Sequence, residues 1–531
     1  MRILLMHPSE DFDPSRPPPA QADALVDDLG LATLFDAMAG RDKFLHGVAR
    51  AAVLSPLVEP GPIVYRQEVL ADCLAHPGFT KELYALASDA LEAHRRLTFW
   101  GLNRSPESLR YSSVQALEVL FGYLVRLRRL VDDHGAETAS PAFARLRSML
   151  LGELDDAYMT SLQAHLNELK LPRGLIMSAQ LGRAGHGTGY VLHKAAARGV
   201  KERLARRGQA ACSFSVPDRD DNGLRALADL QARGVSIVAN VLAQSVDHVV
   251  GLFASLRTEL AFYIGCLNLH AALSTMGAPL CTPVPLPAGG PPPGTRPVLQ
   301  ARQLYDPCLS LATDHPAVGS DIDAGAKTLV LITGANRGGK STFLRSTGLA
   351  YLMMQCGMFV AARSFTADVC RSVFTHFKRN EDTSMTGGKL DEELSRMSTI
   401  VSQLSPGCLL LCNEPFASTN EREGSDIGRQ VFIPLANAGV KVFVVTHLFD
   451  LAESIHEKGA AGALFLRAPR QAGDHPFRLV EGAPEPTAYG EDVYKRIFGE
   501  PPSAPTVGDQ ALGTNRWAPG TTRQAHKLGP P

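Results

Sequence analysis

Thr328-Leu329-Val330-Leu331-Ile332-Thr333 leads directly into Gly334-Ala335-Asn336-Arg337-Gly338-Gly339-Lys340-Ser341-Thr342. A short apolar run ended by glycine predicts a buried strand and a tight loop. Phe343, Leu344, Leu349, Leu352 and Met353 then recur at helical spacing. Strand, G-x-x-x-x-G-K-S loop and helix in that order predict a phosphate-binding loop. Its glycines let backbone N–H groups close around phosphate oxygens, and the helix N-terminus adds its positive dipole. Lys340 is placed to reach the β- and γ-phosphates and Ser341 to hold Mg²⁺.

Further apolar runs follow at Val373–Phe377, Cys408–Cys412 and Val440–Thr446, in most cases with a loop and a helical pattern behind them. That alternation predicts a largely parallel sheet covered by helices. The run at 408–412 ends in Asn413-Glu414, where a phosphate-loop protein places its metal-side carboxylate and, in some, a water-activating one. Asn413 stands where Asp is usual. Ser384-Met385-Thr386-Gly387-Gly388-Lys389 opens a helical pattern with Leu390, Leu394, Met397, Val401 and Leu404 on its apolar face. A hydroxyl and two glycines at a helix start offer free N–H donors to an anion, although ordinary caps look the same. Thr446-His447 closes the strand at 440–445.

Working back toward the N-terminus, the rhythm becomes helical. Val238, Leu242, Val246, Val249, Phe253, Leu256, Leu260, Tyr263 and Leu267 describe one amphipathic helix on the order of 45 Å long. Shorter helical patterns cover Tyr65–Ala75, Leu83–Arg96, Ser113–Leu130 and Phe143–Leu169. Between about 173 and 216 the period fails, and Gly189–Leu192 and Cys212–Val216 read as extended pieces of a small insert. Pro279–Pro297 holds eight prolines and reads as a linker, and Glu500–Pro531, with six prolines and four glycines, as a disordered tail. The expected organisation is an all-α region over 1–278 with a small irregular or β insert, a linker over 279–297, an α/β phosphate-loop domain over 298–498, and a tail over 499–531.

Composition narrows the class. The 531 residues are 45% hydrophobic and 20% charged, enough for a sizeable core in more than one domain. Lys+Arg 53 against Asp+Glu 54 gives a net charge of -1, so a polyanion would need a local basic patch. Nine scattered cysteines without a C-x-x-C pair fit a reducing compartment and argue against a zinc site or a disulfide framework. The apolar opening at 3–6 is too short for a signal peptide, and Asp247, His248, Arg257 and Glu259 interrupt the apolar stretch 237–269, so no membrane is expected. The expected location is the cytoplasm.

In this order the elements resemble the ATPase domain of the MutS family, a branch of the ABC-type ATPases. Thr333–Thr342 differs from that family's T-G-P-N-M-G-G-K-S-T only at Ala335 and Arg337. Gly357-Met358-Phe359-Val360-Ala361-Ala362, Asn413-Glu414, Ala417-Ser418-Thr419-Asn420, Gly424, Thr446-His447 and Tyr489-Gly490 also fall where the family keeps its motifs. The resemblance is strong over Val298–Phe498 and weaker over Ile63–Leu74 and Leu256–Leu273, which are similar to the family's core and lever helices.

The resemblance implies ATP and Mg²⁺ as ligands, with Gly334, Asn336, Gly338, Gly339, Lys340, Ser341 and Thr342 at the nucleotide. It also implies Ser341 and, through water, Asn413 at the metal, Glu414 as general base and His447 as γ-phosphate sensor. Ser384, Thr386, Gly387 and Gly388 become the signature that a second copy's ATP meets, so a homodimer on double-stranded or branched DNA is implied. The family's mismatch-reading domain with its F-x-E wedge is expected to be missing, and the clamp-like insert is short. Within that insert Lys194, Arg198, Lys201, Arg203, Arg206 and Arg207 form a basic cluster, read either as a solvated helix face or as a contact to the DNA backbone. Asn413 leaves open a rival role, an ATP-binding switch that hardly hydrolyses and works through protein partners. A second rival, an ABC-type chromosome-maintenance protein, lacks the long heptad runs it would need.

Overall fold

The computed structural model describes residues 2–98, 105–172, 174–183, 187–193, 215–288, 298–335, 338–378, 388–459, 462–469 and 477–485. Short helices α1 (Ala22–Leu29), α2 (Leu31–Ala39) and α3 (Lys43–Val53) come first, the last capped by the Asp42 carboxylate, which accepts the Phe44 and Leu45 amides. Then come α4 (Pro60–Ala75), α5 (Pro77–Thr98), α6 (Pro106–His134), α7 (Pro141–Glu153) and α8 (Asp156–Leu169). The continuous pattern expected over 143–169 is two helices. Leu154 leaves the helical conformation, and Asp155 caps α8 by accepting the Tyr158 amide; a capping carboxylate beside a broken turn overrides a periodicity that carries through.

The insert contains an antiparallel hairpin, β1 (Met177–Leu181) with β2 (Gly187–Leu192). The second extended piece expected there, Cys212–Val216, lies mostly outside the described residues. The helix expected over 238–267 is longer than its apolar stripe: α9 runs from Asp221 to Thr275, 55 residues or about 80 Å. Its second half is the spine of the helical region, burying Leu252, Phe253, Leu256, Leu260, Phe262 and Tyr263 among α2, α3, α5 and α6. Its first half is wetter, with Ile237 and Val241 exposed. By length and composition α9 is also the one helix among the described residues long and apolar enough to cross a bilayer.

The α/β part contains β3 (Val284–Leu286), β4 (Leu299–Leu304), α10 (Pro307–Thr313), β5 (Ser320–Asp323), β6 (Leu329–Gly334), α11 (Lys340–Gln355), β7 (Ser364–Asp368) and β8 (Val373–Phe377). It continues with α12 (Lys389–Gln403), β9 (Leu409–Asn413), α13 (Glu421–Asn437), β10 (Lys441–Val445), α14 (Phe449–Glu457), β11 (Ala463–Ala468) and β12 (Val480–Glu481). One sheet has the order β12-β11-β6-β10-β9-β8, parallel throughout except for β12. Its central strands are fully buried, as strands covered on both faces must be. A smaller sheet has the order β3-β7-β4-β5. Its β3 lies within the proline-rich run, so part of the expected linker is an edge strand, the position in a sheet where proline is tolerated. A buried ion pair, Lys441 on β10 with Asp368 on β7, ties the two sheets together.

Candidate functional site at the carboxyl end of the parallel sheet

Three segments converge beyond the carboxyl ends of β6, β9 and β10, the edge where open α/β sheets bind ligands. The loop after β6 supplies the phosphate-loop residues. Gly339 has φ +88°, and a Cβ there would sit 2.7 Å from the Phe477 carbonyl oxygen, so only glycine fits. Gly334, with φ +104°, is equally close to the backbone of Ala468. Gly339 is the N-cap of α11 and offers no side chain to its amides, which leaves the helix start open to an anion. Lys340 is buried and its Nζ donates to the Gly334 and Ala335 carbonyls at 2.7 and 3.0 Å. Burial lowers its pKa, and nearby Glu414 works in the opposite direction.

Ser341 Oγ donates to Asn413 Oδ1 across 2.8 Å. The register that makes this contact is set by β9 pairing with β10, Asn413 opposite Val445. One residue on, Glu414 has φ +55° and its amide donates to the Val445 carbonyl at 2.8 Å, so its side chain leaves the sheet just past the last strand pair. Glu414 Oε1 lies 2.6 Å from His447 Nε2. That hydrogen bond, more than the competing desolvation, holds the Glu414 carboxyl below its ordinary pKa. A cavity of about 390 Å³ opens here, lined by the polar Lys340, Ser341 and Glu414 and by the apolar Leu309, Val318 and Phe477. Thr342 and Gly338 also line it.

Of the other residues read from the sequence, Asn336, Ser384, Thr386, Gly387 and the basic cluster Lys194, Arg198, Lys201, Arg203, Arg206 and Arg207 lie outside the described residues, as do Tyr489 and Gly490. Gly388 is the exposed N-cap of α12 and contributes no side-chain cap. Asp391 and Glu392 occupy the first turn of that helix, where acidic side chains complement the helix dipole. The buried face of α12 also differs from the expected stripe: Met397 is buried and Ile400 packs against the same core, whereas Val401 is exposed. Three supporting residues lie outside the sequence motifs. Asp306, fully buried, caps α10 and binds Arg345 of α11 through Nε at 2.9 Å and an Nη at 2.5 Å; its place before Pro307 was a readable capping signal. Phe477 and Glu393 carry no local signal.

A phosphate loop at the switch edge of a parallel sheet, facing a strand-end carboxylate, defines a P-loop nucleotide-binding domain. Two family models match the chain: "MutS2 N-terminal domain" over residues 59–276 and "MutS domain V" over 330–498. Curated relatives named "DNA mismatch repair protein MutS" align with it. The protein from Methanosarcina mazei is 31% identical over 218 residues, 38% of this chain and 24% of the relative. That from Thermotoga sp. (strain RQ2) is 33% identical over 127 residues, 24% of this chain and 16% of the relative. The chain thus spans a quarter or less of the length of these relatives. It belongs to the MutS-like family.

Proposed function

We propose that this chain is a MutS-like ATPase that binds MgATP at the loop 334–342, pairs with a second copy around the nucleotide, and couples binding and hydrolysis to contacts with double-stranded or branched DNA in mismatch repair or a related process. The observation that carries it is the convergence of Lys340, Ser341 and Glu414 on one cavity. Ser341 and Asn413 present hard oxygen donors suited to Mg²⁺, which when bound neutralises charge developing between the phosphates. The chain's own groups do the rest. The amides of the loop and Lys340 bind and orient the phosphates. Glu414, kept as a carboxylate by His447, accepts the proton of the attacking water, and His447 is then placed to hold that proton or to sense the γ-phosphate. Relatives named for DNA mismatch repair support the DNA role, and the scattered free cysteines support a cytoplasmic location.

Steady-state ATP hydrolysis with and without homoduplex, mismatched and branched DNA tests this reading. Glu414→Gln is expected to keep ATP binding and lose turnover by about 10²–10⁴. Equal turnover in both proteins would remove Glu414 from the chemistry. A second reading, the slowly hydrolysing switch, is favoured by one observation: the acceptor facing Ser341 is the neutral amide of Asn413. Asn413→Asp then raises turnover or Mg²⁺ affinity, whereas undetectable turnover in every variant supports the switch. For the dimer, ATP is expected to raise the sedimentation coefficient of the Glu414→Gln protein, and Gly388→Asp to abolish the rise. For DNA, four to six phosphate contacts by the basic cluster predict a slope of roughly -4 to -5 in log K against log salt. Reversing Arg203, Arg206 and Arg207 to Glu should flatten it.

A further inference from the structure

The loop that carries Glu414 is held in an unusual backbone conformation by a side chain from another element. Between β9 and α13, both Glu414 and Phe416 have positive φ, +55° and +60°. Side chains with a Cβ occupy that region only where the surroundings hold them there. On one side the Glu414 amide is fixed to the Val445 carbonyl. On the other, Glu393 reaches across from α12: its Oε1 accepts the Phe416 amide at 2.6 Å and its Oε2 accepts the Ser418 hydroxyl at 3.2 Å. The Phe416 ring is fully buried between His376 and Phe432, and Gly424 leaves room for the Phe416 carbonyl, to which a Cβ would approach within 2.8 Å. Ring and carbonyl therefore fix where residue 416 sits. The carboxylate of Glu393 fixes how its peptide plane turns, and so the direction in which the chain leaves Glu414.

We propose that Glu393 is a positioning residue for the nucleotide-facing carboxylate: by holding the Phe416 amide and the Ser418 hydroxyl it keeps the 414–418 loop turned so that Glu414 faces Ser341 and Lys340. Among the described residues Glu393 lines neither the cavity nor the phosphate loop, and its side chain meets the 414–418 loop, through which its effect runs. The charge-assisted bond to a backbone amide is the stronger of its two contacts, and the bond to the exposed Ser418 the weaker. Gln at 393 retains one acceptor oxygen for the Phe416 amide and loses the second. Ala loses both, and Asp is one methylene too short to span the same gap.

The inference rests on reading Glu414 as the water-activating group, and the experiment separates the two. Wild type, Glu414→Gln, Glu393→Gln, Glu393→Ala and Ser418→Ala are compared as full chains for kcat, KM for ATP, thermal midpoint, and amide hydrogen exchange of the 414–418 segment. Glu393→Ala is expected to lower kcat by about 10- to 100-fold, the scale of a roughly 1 Å misplacement, with KM within about twofold. Exchange at Phe416 should accelerate. Glu393→Gln should recover most of the loss, and Ser418→Ala should change kcat by less than about threefold. Turnover in Glu393→Ala within about twofold of wild type overturns the proposal, as does unchanged exchange at Phe416. Parallel losses of kcat, ATP affinity and thermal midpoint also overturn it, because they mark a merely structural role. If wild type and Glu414→Gln hydrolyse equally, the reading of Glu414 has failed, and exchange at Phe416 still decides whether Glu393 holds the loop.

Discussion

The carboxyl edge of the parallel sheet and the joint where residues 3–12 lie against α9 are both dense in polar groups, but they are wired in opposite ways. At the edge, the first amides of α11 have no side-chain cap and Glu414 lines an open cavity. At the joint, polar groups are buried and satisfy one another. Glu259 of α9, wholly inaccessible, accepts the amides of Leu5, Met6 and Phe12. Tyr263 donates to the Leu5 carbonyl and Tyr65 to that of Leu4. Arg66, buried on α4, donates to the carbonyl of Met6 and to that of Cys356 at the end of α11. One guanidinium thus bridges the N-terminal segment and the helix that begins at the phosphate loop. A ligand-binding edge leaves donors to be used, whereas a joint leaves none, because a buried polar group without a partner costs more than its bond returns.

That contrast predicts two kinds of failure. The largest effect belongs to the edge: Glu414→Gln should change turnover by the factor given above while shifting the unfolding midpoint little, since the side chain is partly exposed and bonded to a single histidine. A large loss of stability there would break the comparison by showing that the edge, too, is structural. The same contrast gives a pH expectation. Because the hydrogen bond from His447 lowers the Glu414 pKa, protonation of Glu414 should not limit turnover anywhere above its ordinary value of 4.5. A rate profile whose acid limb follows a carboxylate raised above that value would contradict it.

At the joint the order reverses. Arg66→Ala removes donors from two buried carbonyls and the cation above the Phe262 ring, and should cost about 2–4 kcal/mol in urea unfolding. Gly357→Ala attacks the same contact from the α/β side. Gly357 has φ +75°, and a Cβ there would meet the Arg66 Cβ at 2.6 Å, so a loss of about 1–3 kcal/mol is expected. ATP affinity in both variants should stay close to wild type if the joint only holds the two parts together. A change in affinity beyond about tenfold (about 1.4 kcal/mol) would instead make Arg66 a route between the N-terminal segment and the phosphate loop.

The two regions also differ in how legible they were. The strand at 329–334, its loop and the helix behind it announce themselves because phosphate chemistry needs glycines, a lysine and a hydroxyl at fixed neighbouring positions. The ends of β9 and β10 follow once that loop is placed. Nothing comparable marks the joint. Glu259 reads as an interruption of an apolar stretch, and its partners are backbone amides 247 to 254 residues away, which have no residue code at all. The first half of α9 is hard to read for a related reason, since its wetter face breaks the apolar stripe that marks a helix. Glu393 is invisible in the same way: it serves a peptide N–H, and any residue at 416 except proline would present one.

The smallest predicted effect tests whether the joint is as closed as its geometry implies. Burial pushes the Glu259 carboxyl up to about 7 from its ordinary 4.5; the three amides that favour the charged form oppose the shift, and the nearby Asp11 charge adds to it. The folded protein therefore holds this proton more tightly than the unfolded chain. The resulting stabilisation is fully present below pH 4.5 and is lost as pH rises through about 7. Between pH 6 and pH 8 the loss amounts to about 1 kcal/mol. Glu259→Gln cannot titrate, and its amide nitrogen cannot accept from a backbone N–H, so the variant should be less stable at both values yet lack this slope. Contributions common to both proteins cancel when the two are compared by urea unfolding at the two pH values. A wild-type slope steeper than the variant's by about 1 kcal/mol over that interval is the expected result. Parallel slopes would mean that water reaches Glu259, and with it that the N-terminal segment opens away from α9 in solution.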